Sequence, residues 1–408
     1  MPGMSAHIWE GTLNNARKRS GLGAALVLVA GGLLTLTTST AASAAPAPKA
    51  CSIQPRSGHI VGIVPAVGDC SSSSSSAASD VVSHMADRAA IPASDIANGT
   101  PPLLFHGGQV MMTRQTGPLI ITPIYWDPAG HPVSASYKDI IATYLGNVSL
   151  ASGQNSNVYS VANEYSGSNG QIHYNIRVTA GIDDTNALPA SGCTLTAADQ
   201  ANIYADKSGY DACLDDDQLQ AEINHVTAVR GLPHNLSHIY VLFLAKHVES
   251  CFFAGSTTTA ANACTINHEP SAAYCAYHSE ATSNAVYANM PYPIYNSPVG
   301  FTCGTEKNFG TIESPNGNPD ADVEISPTSH EINESITDPD TATGWYDSSG
   351  FENGDECAYI FGQTHGSPGR LFNQVIGGFR FLTQEEFSNR DFNITGGGCV
   401  QSALAEAH

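Results

Sequence analysis

The sequence predicts an α+β fold in a single main domain over residues 102–408. Its mixed sheet is expected to be flanked by helices, and the domain to be cross-linked by disulfides. Three observations favour this class. A helix pattern, a buried-strand pattern, a cysteine-rich segment and a second helix pattern follow one another, as in mixed-sheet layouts. Ten cysteines can supply several cross-links. About 300 residues are at the upper end of what one core supports, so one domain is the expectation.

The strands of the central sheet are predicted at three apolar segments, 119–126, 172–178 and 239–244. Segment 239–244 reads Ile-Tyr-Val-Leu-Phe-Leu, a continuous apolar run that is typical of a strand buried on both faces. These segments are expected to form the centre of the sheet.

Two helices are predicted between and beside these strands. Segment 136–145 places its large apolar residues on one side, as an amphipathic helix does. Segment 215–229 begins with acidic residues, which are favourable at a helix N-terminus, and Gly231 and Pro233 terminate it.

The N-terminal part predicts export. Three basic residues, 17–19, precede the apolar run 21–36, and Ala42-Ser43-Ala44 offers a small-residue cleavage site, so residues 1–44 are interpreted as a signal peptide. An uncleaved membrane anchor is the alternative, because residues 20–48 carry no charge. Residues 45–101, rich in Ser and Ala, are interpreted as a linker or pro-segment with a small Cys51–Cys70 loop.

The cysteines indicate an oxidising compartment, and hence a secreted, extracellular protein. No Cys-x-x-Cys unit occurs, which disfavours a cysteine zinc site. The pattern leaves connectivity open, but bracketing of loop-rich stretches favours Cys51–Cys70, Cys193–Cys213 and Cys357–Cys399, with Cys251, Cys264, Cys275 and Cys303 around one further region.

The charge excludes several partners. The formal net charge is −21, from 16 Lys and Arg against 37 Asp and Glu, so phosphate backbones and anionic lipid surfaces are repelled. We therefore predict no nucleic-acid partner and no membrane partner after signal cleavage. A polypeptide or cell-wall polymer is the expected substrate, and the sequence does not fix the oligomeric state.

The segment around His330 concentrates metal-ligand chemistry. On a helix, where successive residues turn by about 100°, His330 and Glu334 lie within about 40° of each other. We predict that Ser326 caps this helix, that Pro327 lies in its first turn and that Pro339 ends it. Its His-Glu-x-x-Glu pattern resembles the His-Glu-x-x-His signature of zincin metallopeptidases, in which the first and last residues bind zinc and the second polarises water.

This zincin-like resemblance implies that His330 and Glu334 bind the metal and that Glu331 is catalytic. A third ligand is expected from the acidic segment that follows, with Glu352 or Asp355 preferred, because its glycines let it fold back over the helix. Zinc is the expected cofactor, and calcium is the alternative, although the segment does not match an EF-hand loop. A solvated polar helix face is the simplest competing interpretation.

His278 is a further candidate. It lies in the aromatic segment 274–279 and could supply a metal ligand from outside the helix, pair with Ser279, or be a hydrogen-bonded histidine without further role. No Gly-x-Ser-x-Gly elbow or phosphate-binding Gly-x-x-x-x-Gly-Lys-Ser/Thr loop supports a serine hydrolase or a nucleotide-binding site.

Four blocks of the sequence resemble the phosphate-induced, EXORDIUM-like family of secreted proteins, over about residues 105–400. The blocks are Gly117-Pro118-Leu119, residues 237–244, Cys275-Ala276-Tyr277-His278 and residues 330–357. The resemblance is greatest to bacterial relatives and implies an extracellular, wall-associated protein. The two resemblances lead to two hypotheses. The His-Glu-x-x-Glu pattern favours a secreted zincin-like metal-dependent hydrolase, expected to be an endopeptidase. The alternative, of the EXORDIUM-like kind, is a noncatalytic wall-associated protein in which the acidic block is a structural metal site.

Overall fold

The structure is a computed structural model that describes residues 63–65, 103–256, 258, 264–266, 274–296, 302–340, 343–348 and 350–403. These residues belong to one compact unit, Pro46–His408. The predicted signal peptide and the predicted Cys51–Cys70 pair lie outside the described residues. Across the described ranges, no helix combines the length and the apolar character needed to cross a bilayer.

The fold is α+β, as predicted. Its strands are β1 (Ile63–Pro65), β2 (Leu104–Phe105), β3 (Leu119–Trp126), β4 (Ser166–Gly167), β5 (Gly170–Gln171), β6 (Ile176–Val178), β7 (Ile182–Asp184), β8 (Ala212–Asp215), β9 (His238–Phe243), β10 (Val248–Cys251), β11 (Tyr274–Glu280), β12 (Val286–Met290), β13 (Trp345–Tyr346), β14 (Gln374–Ile376), β15 (Phe379–Phe381), β16 (Glu386–Phe387) and β17 (Cys399–Val400). The α-helices are α1 (Ala135–Leu150), α2 (Asp216–Arg230), α3 (Glu306–Phe309), α4 (Pro319–Thr337) and α5 (Asn389–Thr395), and the 3-10 helices are η1 (Val158–Glu164) and η2 (Asp355–Cys357).

The central sheet is mixed, with the order β1-β11-β12-β9-β3-β6; β7 pairs with the C-terminal half of β3, and β6 pairs with its N-terminal half. The pairs β12–β9, β9–β3, β3–β6 and β3–β7 are parallel, whereas β11 runs antiparallel to β12, and β1 runs antiparallel to β11. The central strands β3 and β9 are almost wholly buried, which explains their continuous apolar runs. The strand predicted at 172–178 is shorter than expected, since only Ile176–Val178 pairs with β3.

Both predicted helices are present, and local signals fix their ends. The Asp215 side chain accepts a hydrogen bond from the Gln218 amide, and the Gln218 side chain accepts one from the Asp215 amide, so a capping box starts α2. Gly231 ends α2 in the left-handed conformation, with φ of 64°. Gly231 therefore ends the helix, and an acidic residue begins it, as predicted.

Helix α4 starts earlier than the sequence predicted. Asn318 caps it by accepting a hydrogen bond from the Ala321 amide, Pro319 occupies the first turn, and Pro327 lies inside the helix. The prediction that Ser326 and Pro327 begin this helix is therefore wrong. An interior proline removes one backbone hydrogen bond, but every residue from Ala321 to Thr337 is buried, so tertiary packing outweighs that local cost.

Disulfides join Cys193–Cys213, Cys251–Cys264, Cys275–Cys303 and Cys357–Cys399. The two predicted pairings within the described residues are confirmed. The Cys275–Cys303 bond begins in β11, and the Cys357–Cys399 bond joins η2 to β17. Multiple disulfides are compatible with an extracellular protein.

Strand β1 comes from the segment interpreted as a linker or pro-segment. Its backbone pairs with β11, with Ile63 opposite Tyr277 and Val64 opposite Ala276. Helix α4 lies next to both β1 and β11. At least this part of the segment therefore belongs to the main sheet in the full chain.

Candidate metal centre

The polar side of α4 is buried. His330, Glu331 and Glu334 have no exposed surface, and neither has Glu352 of the segment that follows the helix. A helix face with ionisable groups is ordinarily solvated, because burying an unpaired charge is costly. The solvated-face interpretation is therefore wrong, and these groups must satisfy one another or a bound ion.

His330, Glu334 and Asp355 form the first group of potential ligands. The His330 Nε2 atom lies 2.8 Å from Glu334 Oε1 and 3.6 Å from Asp355 Oδ1. The Asp355 backbone amide donates a hydrogen bond of 2.9 Å to Glu334 Oε1, which fixes that carboxylate against η2. One nitrogen and two carboxylate oxygens thus lie close enough to bind a single cation.

Gly354 allows the segment that carries Asp355 to lie close to His330 and Glu334. A Cβ atom at this position would lie 2.8 Å from His330 Cγ and 2.9 Å from Glu334 Oε1, closer than real Cβ contacts. The backbone here has φ of −74° and ψ of −43°, so the requirement for glycine is one of space rather than of conformation. The segment after α4 folds back over the helix, as its glycines predicted.

His278, Glu331 and Glu334 form the second group. His278 lies on β11, and its Nδ1 atom is 3.2 Å from Glu331 Oε2 and 3.5 Å from Glu334 Oε2. The opposite ring nitrogen, Nε2, is 3.1 Å from the Asp338 backbone carbonyl and 3.8 Å from Glu352 Oε1. Glu334 is therefore common to both groups, with one oxygen facing each imidazole.

The two third-ligand candidates lie on different sides of the centre. Asp355 approaches His330, whereas Glu352 approaches His278. The Glu352 backbone amide also donates a hydrogen bond of 3.2 Å to Asp355 Oδ2, so the two carboxylates belong to one connected arrangement. The structure thus brings all four predicted metal residues, together with Glu331, into one cluster.

The sequence analysis named His278 as one possible ligand from outside the helix, and Asp338 lies in the acidic segment that it considered, but it preferred neither residue. His278 is 53 residues from Glu331 in the chain, and only the packing of α4 on β11 brings them together. A histidine in a strand of otherwise buried residues was the available signal, but core histidines with simple hydrogen bonds give the same signal. The backbone carbonyl of Asp338 holds His278 through Nε2, a contact that no sequence pattern encodes.

Several buried polar atoms of the cluster lack a hydrogen bond in the described part of the chain. They are His330 Nδ1, Glu331 Oε1 and Glu334 Oε2, and the carboxylates of Asp338 and Glu352 have chiefly each other as side-chain partner. Native proteins seldom bury such groups unsatisfied, since each costs on the order of 1–3 kcal/mol. The residues therefore fit a bound cation, which would satisfy these oxygens directly.

Burial and mutual repulsion shift the acidities of the cluster. Burial raises the pKa of Glu331 and of Asp355 to about 7. Burial also acts to raise the pKa of Glu334, but the imidazoles of His330 and His278 outweigh it and lower the value to about 2. For His278, burial acts to lower the pKa, but Glu331 and Glu334 outweigh it and raise the value to about 10. Acidic groups thus outnumber the imidazoles that can neutralise them.

Two other groups of potential ligands occur in the described residues, and both include disulfide cysteines. Because a cysteine binds metal as a free thiolate, these groups do not form a metal site while the disulfides are intact. The His330 and His278 groups are therefore the candidate metal centre of the described chain.

No protein-family model matches this chain, and comparisons with curated proteins and with solved structures find no significant match either.

Proposed function

We propose that this protein is a secreted, zincin-like metal-dependent hydrolase with a polypeptide substrate. The observation that supports it is the meeting of His330 and Glu334, one turn apart on α4, with Asp355 of η2 in a buried site. The mixed sheet, with antiparallel β11 beside the helix that carries the centre, is compatible with a zincin-like layout. The resemblance to EXORDIUM-like proteins is the basis for expecting a wall-associated setting.

His330, Glu334 and Asp355 would hold the cation. A bound zinc ion supplies Lewis acidity that polarises a substrate carbonyl and makes water more acidic. Two imidazoles in the centre favour zinc over calcium, which prefers oxygen ligands alone. Calcium is the alternative, because the carboxylates outnumber the imidazoles.

Glu331 is the residue to which we assign the catalytic role. It follows the ligand His330 in the chain, and its Oε2 atom is held by His278 at 3.2 Å. Its Oε1 atom makes no hydrogen bond. One oxygen is therefore fixed, while the other is available to accept a proton from the attacking water.

The complete burial of the centre favours a second candidate function, a noncatalytic wall-associated protein with a structural metal site. Structural sites are closed, whereas catalytic sites keep an open position for water and substrate. His330, Glu331 and Glu334 are without exposed surface in the full chain. A hydrolase must therefore open to admit its substrate, and a structural site need not.

The deciding experiment compares Glu331→Gln with the wild-type secreted protein. We measure elemental metal content, thermal unfolding and cleavage of a protein substrate, with His330→Ala as the metal-loss variant and Asp217→Asn, at an exposed position of α2, as the control. Removing a general base is expected to lower the rate by about 10²–10⁴-fold. Undiminished cleavage by Glu331→Gln would overturn the hydrolase proposal. The structural role would be supported if His330→Ala loses both the metal and stability, and if neither the wild type nor any variant cleaves the substrate.

A further inference from the structure

We propose that the centre holds two divalent cations that share Glu334, the second bound by His278, Glu331 and Glu334. This inference rests on the proposed function, whose cation site is the first position. It adds that Glu331 binds the second cation through Oε2, while Oε1, which makes no hydrogen bond, keeps the proton-accepting role. The second position extends the centre from α4 and η2 to the sheet, because His278 lies on β11.

The two oxygens of Glu334 face different imidazoles. Oε1 lies 2.8 Å from His330 Nε2, and Oε2 lies 3.5 Å from His278 Nδ1. Oε1 also accepts a hydrogen bond from the Asp355 amide, whereas Oε2 faces only the His278 ring. A carboxylate held in this way can bridge two cations, with one oxygen for each.

The spacing of the second group fits metal ligands. In a tetrahedral site with bonds of about 2.0–2.1 Å, two ligand atoms are about 3.3 Å apart. His278 Nδ1 is 3.2 Å from Glu331 Oε2 and 3.5 Å from Glu334 Oε2. Two of the three distances in such a site therefore have the expected length, and the potential ligand atoms of the three residues all lie within 4.8 Å of one another.

The orientation of His278 presents the right ring nitrogen. Its Nε2 atom lies 3.1 Å from the Asp338 carbonyl oxygen, which can only accept, so Nε2 carries a proton. Without metal, a proton on Nδ1 can be shared with Glu331, and a cation that displaces this proton would bind the Nδ1 lone pair, which points toward Glu331 and Glu334. A lone pair that faces two carboxylates is repelled unless a cation or a proton lies between them. A histidine oriented by a carbonyl on its other nitrogen is also the usual arrangement of a metal ligand.

The charge of the cluster calls for more than one cation. Five buried carboxylates surround the two imidazoles: Glu331, Glu334, Asp338, Glu352 and Asp355. A sixth, Glu386, is also buried and interacts with them electrostatically, and no lysine or arginine of the described ranges forms an ion pair with the five. With neutral imidazoles and ionised carboxylates, one divalent cation leaves at least three negative charges and two leave at least one. Glu352 is unexposed and places Oε1 3.8 Å from His278 Nε2, the ring nitrogen that faces away from the second position. It therefore adds negative charge to the centre but is not a ligand of the second cation.

The test is a metal titration of the full secreted chain after chelator treatment, with Zn²⁺ and native mass spectrometry. We expect two ions per chain in the wild type, one in His278→Ala and one in His330→Ala. His365→Ala, an exposed histidine outside the centre, is the matched control and should retain two. One ion at saturation in the wild type, or two in His278→Ala, would overturn the inference.

A second measurement does not depend on variants that fold. The wild-type chain is loaded with Mn²⁺ and examined by electron paramagnetic resonance. Two ions that share Glu334 should give an exchange-coupled spectrum, whereas isolated ions contradict the inference. Cleavage of a protein substrate with one ion per chain would leave the proposed function intact and refute the second site. Two coupled ions without cleavage would support the second site and refute the proposed hydrolase function.

Discussion

Gly354→Ala tests the candidate metal centre without changing any ligand. The backbone of Gly354 is right-handed helical, so alanine can adopt it without strain. The new Cβ would lie 2.8 Å from His330 Cγ and 2.9 Å from Glu334 Oε1, where ordinary contacts begin at 3.4 Å. His330, Glu334 or η2 must therefore shift by about 0.6 Å, in a region where overpacking costs about 1–3 kcal/mol.

Such a shift should weaken cation binding as well as stability. Disturbing the surroundings of metal ligands lowers affinity by about 10–100-fold, which corresponds to about 1.4–2.7 kcal/mol. We would measure the dissociation constant for Zn²⁺ by competition with a chelator, and unfolding by heat in the presence and absence of metal. The loss of stability should be larger with metal present, since the variant then also loses binding energy.

Gly146→Ala is the matched control. Gly146 lies in α1, and a Cβ there has no neighbouring heavy atom within 4 Å. This variant should gain about 0.5–1 kcal/mol from higher helix propensity, with unchanged cation affinity. If Gly354→Ala binds Zn²⁺ as tightly as the wild type, the ion does not lie at the His330–Glu334 pair and the reasoning fails.

Two further predictions concern stability. Burial raises the pKa of Glu249 from 4.5 to about 8, so its contribution to stability is complete below pH 4.5 and is lost as the pH rises through 8. Between pH 5 and pH 9 the wild type should lose about 4 kcal/mol relative to Glu249→Gln, measured by urea unfolding; parallel pH profiles would contradict this. Replacing Cys357 and Cys399 by serine should lower the free energy of unfolding by about 4 kcal/mol, from the chain entropy of the opened loop. It should also weaken cation binding, because Cys357 shares η2 with Asp355; unchanged affinity would show that η2 is held without the bond.

The sequence predicted the elements whose signals are local. The continuous apolar runs of β3 and β9 and the capping residues of α2 identified a strand or helix without knowledge of the partner. The start of α4 was missed, because Pro327 is a strong local signal for a helix beginning and only tertiary burial overrides it. The pairing of Ile63–Pro65 with β11 was also missed, since a three-residue strand gains its stability from a neighbour more than 200 residues away.

In the candidate site, too, residues related by local geometry could be predicted, and residues brought together by tertiary packing could not. His330 and Glu334 could be predicted because their relation depends only on helix geometry. The search for the third ligand could be narrowed to a short acidic segment that contains Glu352 and Asp355. Which of them approaches His330 and which approaches His278 depends on how η2 folds over α4. His278 depends on the register of β11 and on the packing of α4 against it, which no local pattern contains.

Burial links the metal to folding whichever function is correct. Without a cation, the folded state must keep carboxylates protonated or leave them unpaired, and both cost free energy relative to the unfolded chain. A cation that binds only the folded centre removes this cost, so the free energy of binding becomes free energy of folding. Loss of stability on chelation is therefore expected of a hydrolase and of a structural site alike, and it identifies neither. Glu331 separates them through turnover: Glu331→Gln should keep the cation at His330, Glu334 and Asp355 in either case, whereas only a hydrolase has cleavage to lose, because water activation requires the carboxylate.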